Sequence, residues 1–261
     1  MYAEFETRTS YEYLQEVIKS LEDPICILGG WAVFFHVNKN FQKSQGRPYL
    51  GSRDIDLGFH LDKNMALEEM KSSALAKDVD VLQNRLKFKP ISFRFFKEIH
   101  TETGKEIETG HVPSHFIFPM YVDPIVDFIP KRFKEVFHFQ PIDEPLLQFA
   151  FKDKAFREEL EDFNKRLWVP KPELLAATKI NALKGRDKGH KKIKDICDIF
   201  ALLWYSGEKP QLISKKIRQF TPKGTIKKAY GTIKEKDYEK AGSQVNHDTK
   251  EVKKVIETLT A

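Results

Sequence analysis

An aromatic, β-branched middle followed by a helical remainder is the feature that most restricts how this 261-residue chain can fold. ISFRFF (91–96), HFIFPMYV (115–122), PIVDFI (124–129) and EVFHF (135–139) are separated by turn-like residues and read as strands. After Pro170 the period changes. Pro172 and Glu173 suit a helix start, and Leu174, Leu175, Ala177, Ile180 and Leu183 form an apolar pattern that stops at Gly185. A second helix is expected over 191–205, with Ile193, Ile196, Cys197, Phe200, Leu203 and Trp204 on its apolar face. Ahead of the middle, residues 11–21 carry one helical face, and Ile25–Leu28 reads as a short buried strand. Gly29-Gly30 precedes a helix opening at Trp31, and 38–49 reads as a loop. RDIDLGFH (53–60) alternates like a strand, and 64–77 looks helical. Strands therefore dominate roughly the first 150 residues, and helices the rest.

Composition narrows the class. Hydrophobic residues make up 41% of the chain, enough for a core, and 13 Gly with 13 Pro exclude collagen-like or low-complexity chains. No apolar run approaches the roughly 18–20 residues of a membrane span. The N-terminus, MYAEFETRTSYEYL, is polar and reads as no signal peptide. Cys26 and Cys197 both lie in apolar runs, so they are expected as buried free thiols, and the cytoplasm is the expected compartment. Lys+Arg exceed Asp+Glu by 44 to 38, and the excess gathers after Pro210, from Lys215 and Lys216 to Lys253 and Lys254. Such a stretch could attract a polyanion, but interspersed acids such as Glu235, Asp237 and Glu239 favour a solvated surface.

Four groups of residues could carry chemistry. On a strand, Asp54 and Asp56 point to the same side while Ile55 and Leu57 enter the core. One pleat separates the two carboxylates by about 6–7 Å at the backbone, close enough to converge on a divalent cation. Gly29-Gly30, between a strand and a helix, permits close backbone approach and offers N–H groups to a phosphate; a tight structural turn is the plainer explanation. Asp127 is a lone acid in an apolar strand, where a metal, an Arg or a Lys would remove the burial cost; Asp123 shares its parity. Lys179, Arg186, Asp195 and Asp198 interrupt the helical apolar stripe, and exposed or salt-bridged positions are the ordinary reading. A zinc site from His111 and His115 is disfavoured, because Val112-Pro113 breaks the helix that their spacing would need.

Taken in order, Gly29-Gly30-Trp31-Ala32, Ser52-Arg53-Asp54-Ile55-Asp56, Pro172-Glu173-Leu174-Leu175-Ala176-Ala177-Thr178-Lys179 and Lys194-Asp195-Ile196-Cys197-Asp198 resemble the motifs of the AbiEii-like nucleotidyltransferases. These are toxins of type IV toxin–antitoxin pairs within the DNA polymerase β-type nucleotidyltransferase superfamily. Trp31 stands where the family has a small residue, and Lys194 where it has arginine. The resemblance implies an α+β fold: a mixed, twisted sheet flanked by helices over 1–168, then a helical domain over 169–261. It implies Mg²⁺ or Mn²⁺ held by Asp54, Asp56 and Asp127, with Asp123 the alternative to Asp127. It implies an NTP received by Gly29, Gly30, Ser52, Lys179 and Arg186, and a site completed by Asp195 or Asp198.

The activity so implied is transfer of an NMP from the NTP to an acceptor. A tRNA or other RNA acceptor and a cognate antitoxin are the partners it suggests, with no membrane involved. The competing expectation is an inactive nucleic-acid-binding or regulatory module on the same scaffold. It would leave the strand aspartates without a purpose.

Overall fold

A computed structural model describes residues 4–107, 112–186 and 189–260; His111 of the rejected zinc pair lies outside them. The chain divides into two compact units, one built from the residues up to Trp31 with Gly51–Pro170, the other from Ala32–Leu50 with Lys171 onward.

The first unit opens with α1 (Glu4–Ser20) and β1 (Ile25–Ile27), and α2 (Gly29–Gln45) begins in it. It continues with β2 (Asp54–Phe59), α3 (Leu67–Lys71), α4 (Ala74–Asp80), β3 (Lys89–Ile91) and β4 (Arg94–His100). Then come β5 (Ile117–Val126), α5 (Phe133–Phe137), β6 (Ile142–Asp143), α6 (Leu147–Lys152), β7 (Arg157–Asp162) and β8 (Lys165–Pro170). The strands form one mixed sheet in the order β3-β4-β5-β2-β1-β8-β7, with β6 beside β5. β2 runs parallel to β5, β1 parallel to β8, and the β3–β4, β4–β5, β1–β2 and β7–β8 pairs are antiparallel.

Burial follows the alternation. Ile55 and Leu57 of β2, Phe95 and Ile99 of β4, and Phe118, Met120 and Val122 of β5 are buried, as are Leu14, Val17 and Ile18 of α1. Each such side chain contributes about 1.5–3 kcal/mol by leaving water.

PIVDFI is not a strand of its own. A single β5 runs through Pro119 and Pro124, and Asp127 lies just past its end. Prolines survive in this inner strand because each sits where one neighbour is missing. Pro119 faces Glu98 of β4 before pairing with β2 begins at Tyr121, and Pro124 faces Leu57 of β2 after pairing with β4 has ended at Val122. EVFHF, expected as a strand, is largely helical. Phe133 and Phe137 stack at i,i+4 with centroids 4.4 Å apart, and His138 ends the turn in the left-handed conformation at φ 58°. β7 and β8 extend the strands past residue 150. Their hairpin turns on Phe163 and Asn164, both at positive φ, and acids such as Glu158 and Glu159 keep the β7 edge solvated.

The second unit holds the rest of α2 and α7 (Pro172–Leu183), α8 (Gly189–Tyr205), α9 (Pro210–Ile217), α10 (Lys223–Gly231), α11 (Glu235–Val245) and α12 (Thr249–Glu257). The polar stretch expected as a loop after residue 38 is helical to Gln45. Its narrow apolar seam of Val33, Val37 and Phe41 is fully buried, and Phe41 packs edge-on to Tyr49 and Tyr205. α7 packs on α8, α9 and α10, and α8 on α11 and α12. Cys26 and Cys197 are buried free thiols; burial pushes Cys26 up to about 12 and raises Cys197 as well. Among the described residues no helix is long and apolar enough to cross a membrane.

Candidate functional site

The register of two parallel strands builds the site. Asp56 of β2 lies directly opposite Asp123 of β5, and Asp54, one pleat earlier, lies opposite Tyr121. Asp54 and Asp56 are half-buried between the buried Ile55 and Leu57, as alternation requires. Asp123 is buried. Three carboxylates thus share one stretch of the sheet.

Against them stands Arg94, the first residue of β4. Its Nε donates to Asp123 Oδ1 at 2.9 Å and its Nη2 to Asp123 Oδ2 at 2.5 Å, a bidentate pair. The same Nη2 reaches Asp54 Oδ2 at 3.4 Å. The guanidinium lies over the Tyr121 ring, 4.1 Å from its centroid, with the Phe93 ring at 5.0 Å. Nothing in the sequence analysis singled out Arg94. The signal was there: a cation inside the aromatic run ISFRFF is as conspicuous as an acid inside an apolar one.

The electrostatics remain one-sided. Burial and the neighbouring Asp56 raise the Asp123 carboxyl to about 7, Arg94 opposes this, and Asp54 adds to it. Burial works against the Arg94 charge, but the hydrogen bond and charge of Asp123, with Asp54 and Asp56, raise its pKa above the usual value. Asp56 and Asp54 thus still act on Asp123 against the pull of Arg94.

Gly29, the first residue of α2, closes the other side. It sits at φ +59°, and a Cβ built on it would overlap the Asp56 carboxylate. Leu28 N–H also donates to the Asp56 carbonyl at 2.9 Å. The Asp56 carboxylate therefore lies against the positive end of a helix, where its charge is favoured. Gly30 is buried in the first turn of α2. Ser52 is buried just before β2, and Arg53 pairs with Glu6 at 3.2 Å.

The position opposite Asp56 belongs to Asp123, not to Asp127. Asp127 Oδ1 accepts from Leu61 N–H at 2.9 Å, and Oδ2 lies 2.5 Å from His60 Nδ1. Its burial is thus answered by a histidine and a backbone amide, and the cation partner expected as Arg or Lys is instead His60.

Lys179, Arg186, Asp195 and Asp198 come together inside the helical unit as an ion cluster. Lys179 Nζ stands 3.1 Å from Asp195 and 2.9 Å from Asp198, and Arg186 Nε donates to Asp195 Oδ2 at 2.6 Å. Lys194 and the Tyr49 hydroxyl both donate to Asp198 Oδ1, at 2.5 and 2.8 Å. Burial works to raise the fully buried Asp198, but Lys179 and Lys194 outweigh it and hold the carboxyl below its usual range. Burial and Asp198 together push the Tyr49 phenol well up. Several lysines of the Lys-rich stretch are engaged by acids, Lys216 by Glu208 at 2.6 Å and Lys253 by Glu235 at 2.8 Å.

The chemistry of the donor set suits a hard divalent cation, since carboxylate oxygens are what Mg²⁺ and Mn²⁺ prefer. As they stand, no three His, Cys, Asp or Glu side chains among the described residues are gathered tightly enough to hold an ion. Arg94, bonded to both Asp123 and Asp54, already supplies the cation there.

No protein-family model matches the chain, and no curated protein matches it. One solved structure that is similar is an antigenic nucleotidyltransferase-like protein from Paracoccidioides brasiliensis. It is 16% identical, the match covers 87% of this chain and 92% of that one, and the TM-score is 0.35.

Proposed function

We propose that the chain is a metal-dependent nucleotidyltransferase that moves an NMP from an NTP to an acceptor hydroxyl, with Asp54, Asp56 and Asp123 as its carboxylates. One observation carries this: Asp56 and Asp123 face each other across parallel strands, Asp54 is one pleat away, and a helix begins against Asp56 at Gly29, whose missing side chain leaves the carboxylate its space. A sheet needing only stability would not collect three acids beside a helix N-terminus, because each adds repulsion to the others.

Asp54 and Asp56 would hold Mg²⁺ or Mn²⁺, which when bound supplies neutralisation of charge on the phosphate oxygens. Asp123 would accept the acceptor's hydroxyl proton as the new oxygen–phosphorus bond forms and the bond to pyrophosphate breaks. The first-turn amides of α2 would orient the phosphates. The ion cluster around Asp198 is assigned to the stability of the helical unit. An RNA acceptor and a toxin role paired with an antitoxin extend the proposal on the strength of the sequence motifs.

The test is transfer of α-³²P label from each of the four NTPs to total tRNA with Mg²⁺, beside the Asp54→Ala/Asp56→Ala double variant. Label on RNA with the wild type alone is the expected result. Turnover in the double variant overturns the assignment. The bond of Arg94 to two of the three acids favours one rival, an inactive scaffold in which a guanidinium permanently replaces the metal. That rival expects no metal-dependent NTP binding by the wild type.

A further inference from the structure

Arg94 stands between carboxylates and aromatic rings. It bridges two acids that the preceding proposal assigns to chemistry, and an aromatic surface supports it on its other side. The inference below rests on that proposal.

A guanidinium fixed to Asp123 through two parallel hydrogen bonds, and reaching Asp54 through the same nitrogen, engages both oxygens of Asp123 and one oxygen of Asp54, an acid assigned to the cation. A cation held at Asp54 and the Arg94 bridge to that acid therefore compete for one oxygen and bring two positive charges together. Leaving the acids need not strand the arginine. Its guanidinium already rests on Tyr121, with Phe93 beside it at the β3–β4 turn, and Phe93 is 36% exposed. A planar cation can pivot on such rings while keeping its stacking. Once released next to the acids, it is a cation able to pair with the negative charge of a triphosphate.

We propose that Arg94 is an internal cation that keeps the carboxylate site closed, and that it passes from Asp123 and Asp54 to the triphosphate when metal and nucleotide bind together. Without ligand, the acids thereby repel one another less and bind free metal poorly. Metal and nucleotide arriving as one ligand pay back the broken bridge through new contacts to phosphate, which a guanidinium matches as well as it matches carboxylate.

The test is Mn²⁺ binding to the full chain, followed by electron paramagnetic resonance of free Mn²⁺, with and without a non-hydrolysable NTP analogue. For Arg94→Gln we expect Mn²⁺ alone to bind about tenfold more tightly than to wild type, and the analogue with Mn²⁺ to bind about tenfold more weakly. Arg94→Lys keeps the charge but loses the fork, so it should fall between, and it serves if the glutamine variant does not fold. Unchanged or weakened Mn²⁺ affinity in both variants overturns the closing role. Tighter Mn²⁺ binding with undiminished analogue affinity overturns the transfer to the triphosphate. Asp56→Asn separates this from the parent proposal: it should lose Mn²⁺ whether or not Arg94 acts as inferred, and if it binds Mn²⁺ as wild type does, the carboxylate site itself is wrong.

Discussion

Replacing Gly29 by alanine tests the tightest geometry in the site. Two costs are independent. At φ +59° an alanine occupies the left-handed region, which costs about 1–2 kcal/mol for a residue with a Cβ. The new methyl would also overlap the Asp56 carboxylate, so that side chain must leave its rotamer, at about 0.5–1.5 kcal/mol, and give up its place at the α2 N-terminus, at about 0.3–1 kcal/mol. Together these come to about 2–4 kcal/mol. At about 2–4 °C per kcal/mol, the melting temperature should fall by roughly 4–16 °C.

The assay is urea unfolding followed by tryptophan fluorescence, since Trp31 and Trp168 both lie in the sheet unit. The Gly29→Ala change is made in wild type and again in an Asp56→Ala background. With the carboxylate removed, only the backbone cost of about 1–2 kcal/mol should remain, so the two backgrounds should differ by about 1–2 kcal/mol. Gly29→Ala should also lose Mn²⁺ binding, because the displaced Asp56 can no longer face Asp123. Equal costs in both backgrounds, or a cost below about 0.5 kcal/mol in wild type, would refute the argument that Gly29 and Asp56 compete for one space.

Other outcomes follow from buried charge. Asp198→Ala strips the fully buried acid from Lys179, Lys194 and Tyr49, and should destabilise the helical unit by about 3–5 kcal/mol in urea unfolding; a further Lys194→Met change should recover part of the loss. Asp78, on α4, has its carboxyl raised to about 7 by burial. The folded state therefore holds that proton more tightly than the unfolded chain, and stability should fall as pH rises from about 4 to about 7 and level off above. Asp78→Asn should be more stable than wild type at pH 8, by at most about 4 kcal/mol, and the gap should close near pH 4; a gap independent of pH would show that Asp78 is ionised throughout.

Much of the fold could be read locally. Helices α1, α7 and α8 announce themselves by apolar spacing, and β2 by strict alternation over Asp54–Leu57. The misreadings have particular causes. In EVFHF the β-prone aromatics outweighed the i,i+4 pair of Phe133 and Phe137, which one helical turn satisfies as well. After residue 38, the polar residues of α2 hid a seam only one residue wide per turn. In β7, REELED carries the acids of a solvated edge, a composition that local propensity assigns elsewhere.

The site divides along the same line between local and non-local information. That Asp54 and Asp56 share a side of β2 is a property of one strand, visible in five residues. Which further acid joins them depends on how β5 is registered against β2. Asp123 and Asp127 have the same parity and similar burial, so periodicity cannot separate them. Register separates them by pairing Asp56 with Asp123, while Phe59 reaches only Val126 and leaves Asp127 beyond the ladder, where His60 meets it. Arg94 was hidden for the same reason. Its neighbour Phe95 lies opposite Val122 only once β4 has folded back on β5, and until then nothing ties an arginine to an acid 29 residues away. The groups that set the charge of the site are thus those fixed latest, by pairing between strands. A variant that slips the β4–β5 register by one residue would turn Arg94 to the other face and leave the acids intact but unbridged, so the charge balance of the site is a property of sheet assembly and not of any one motif.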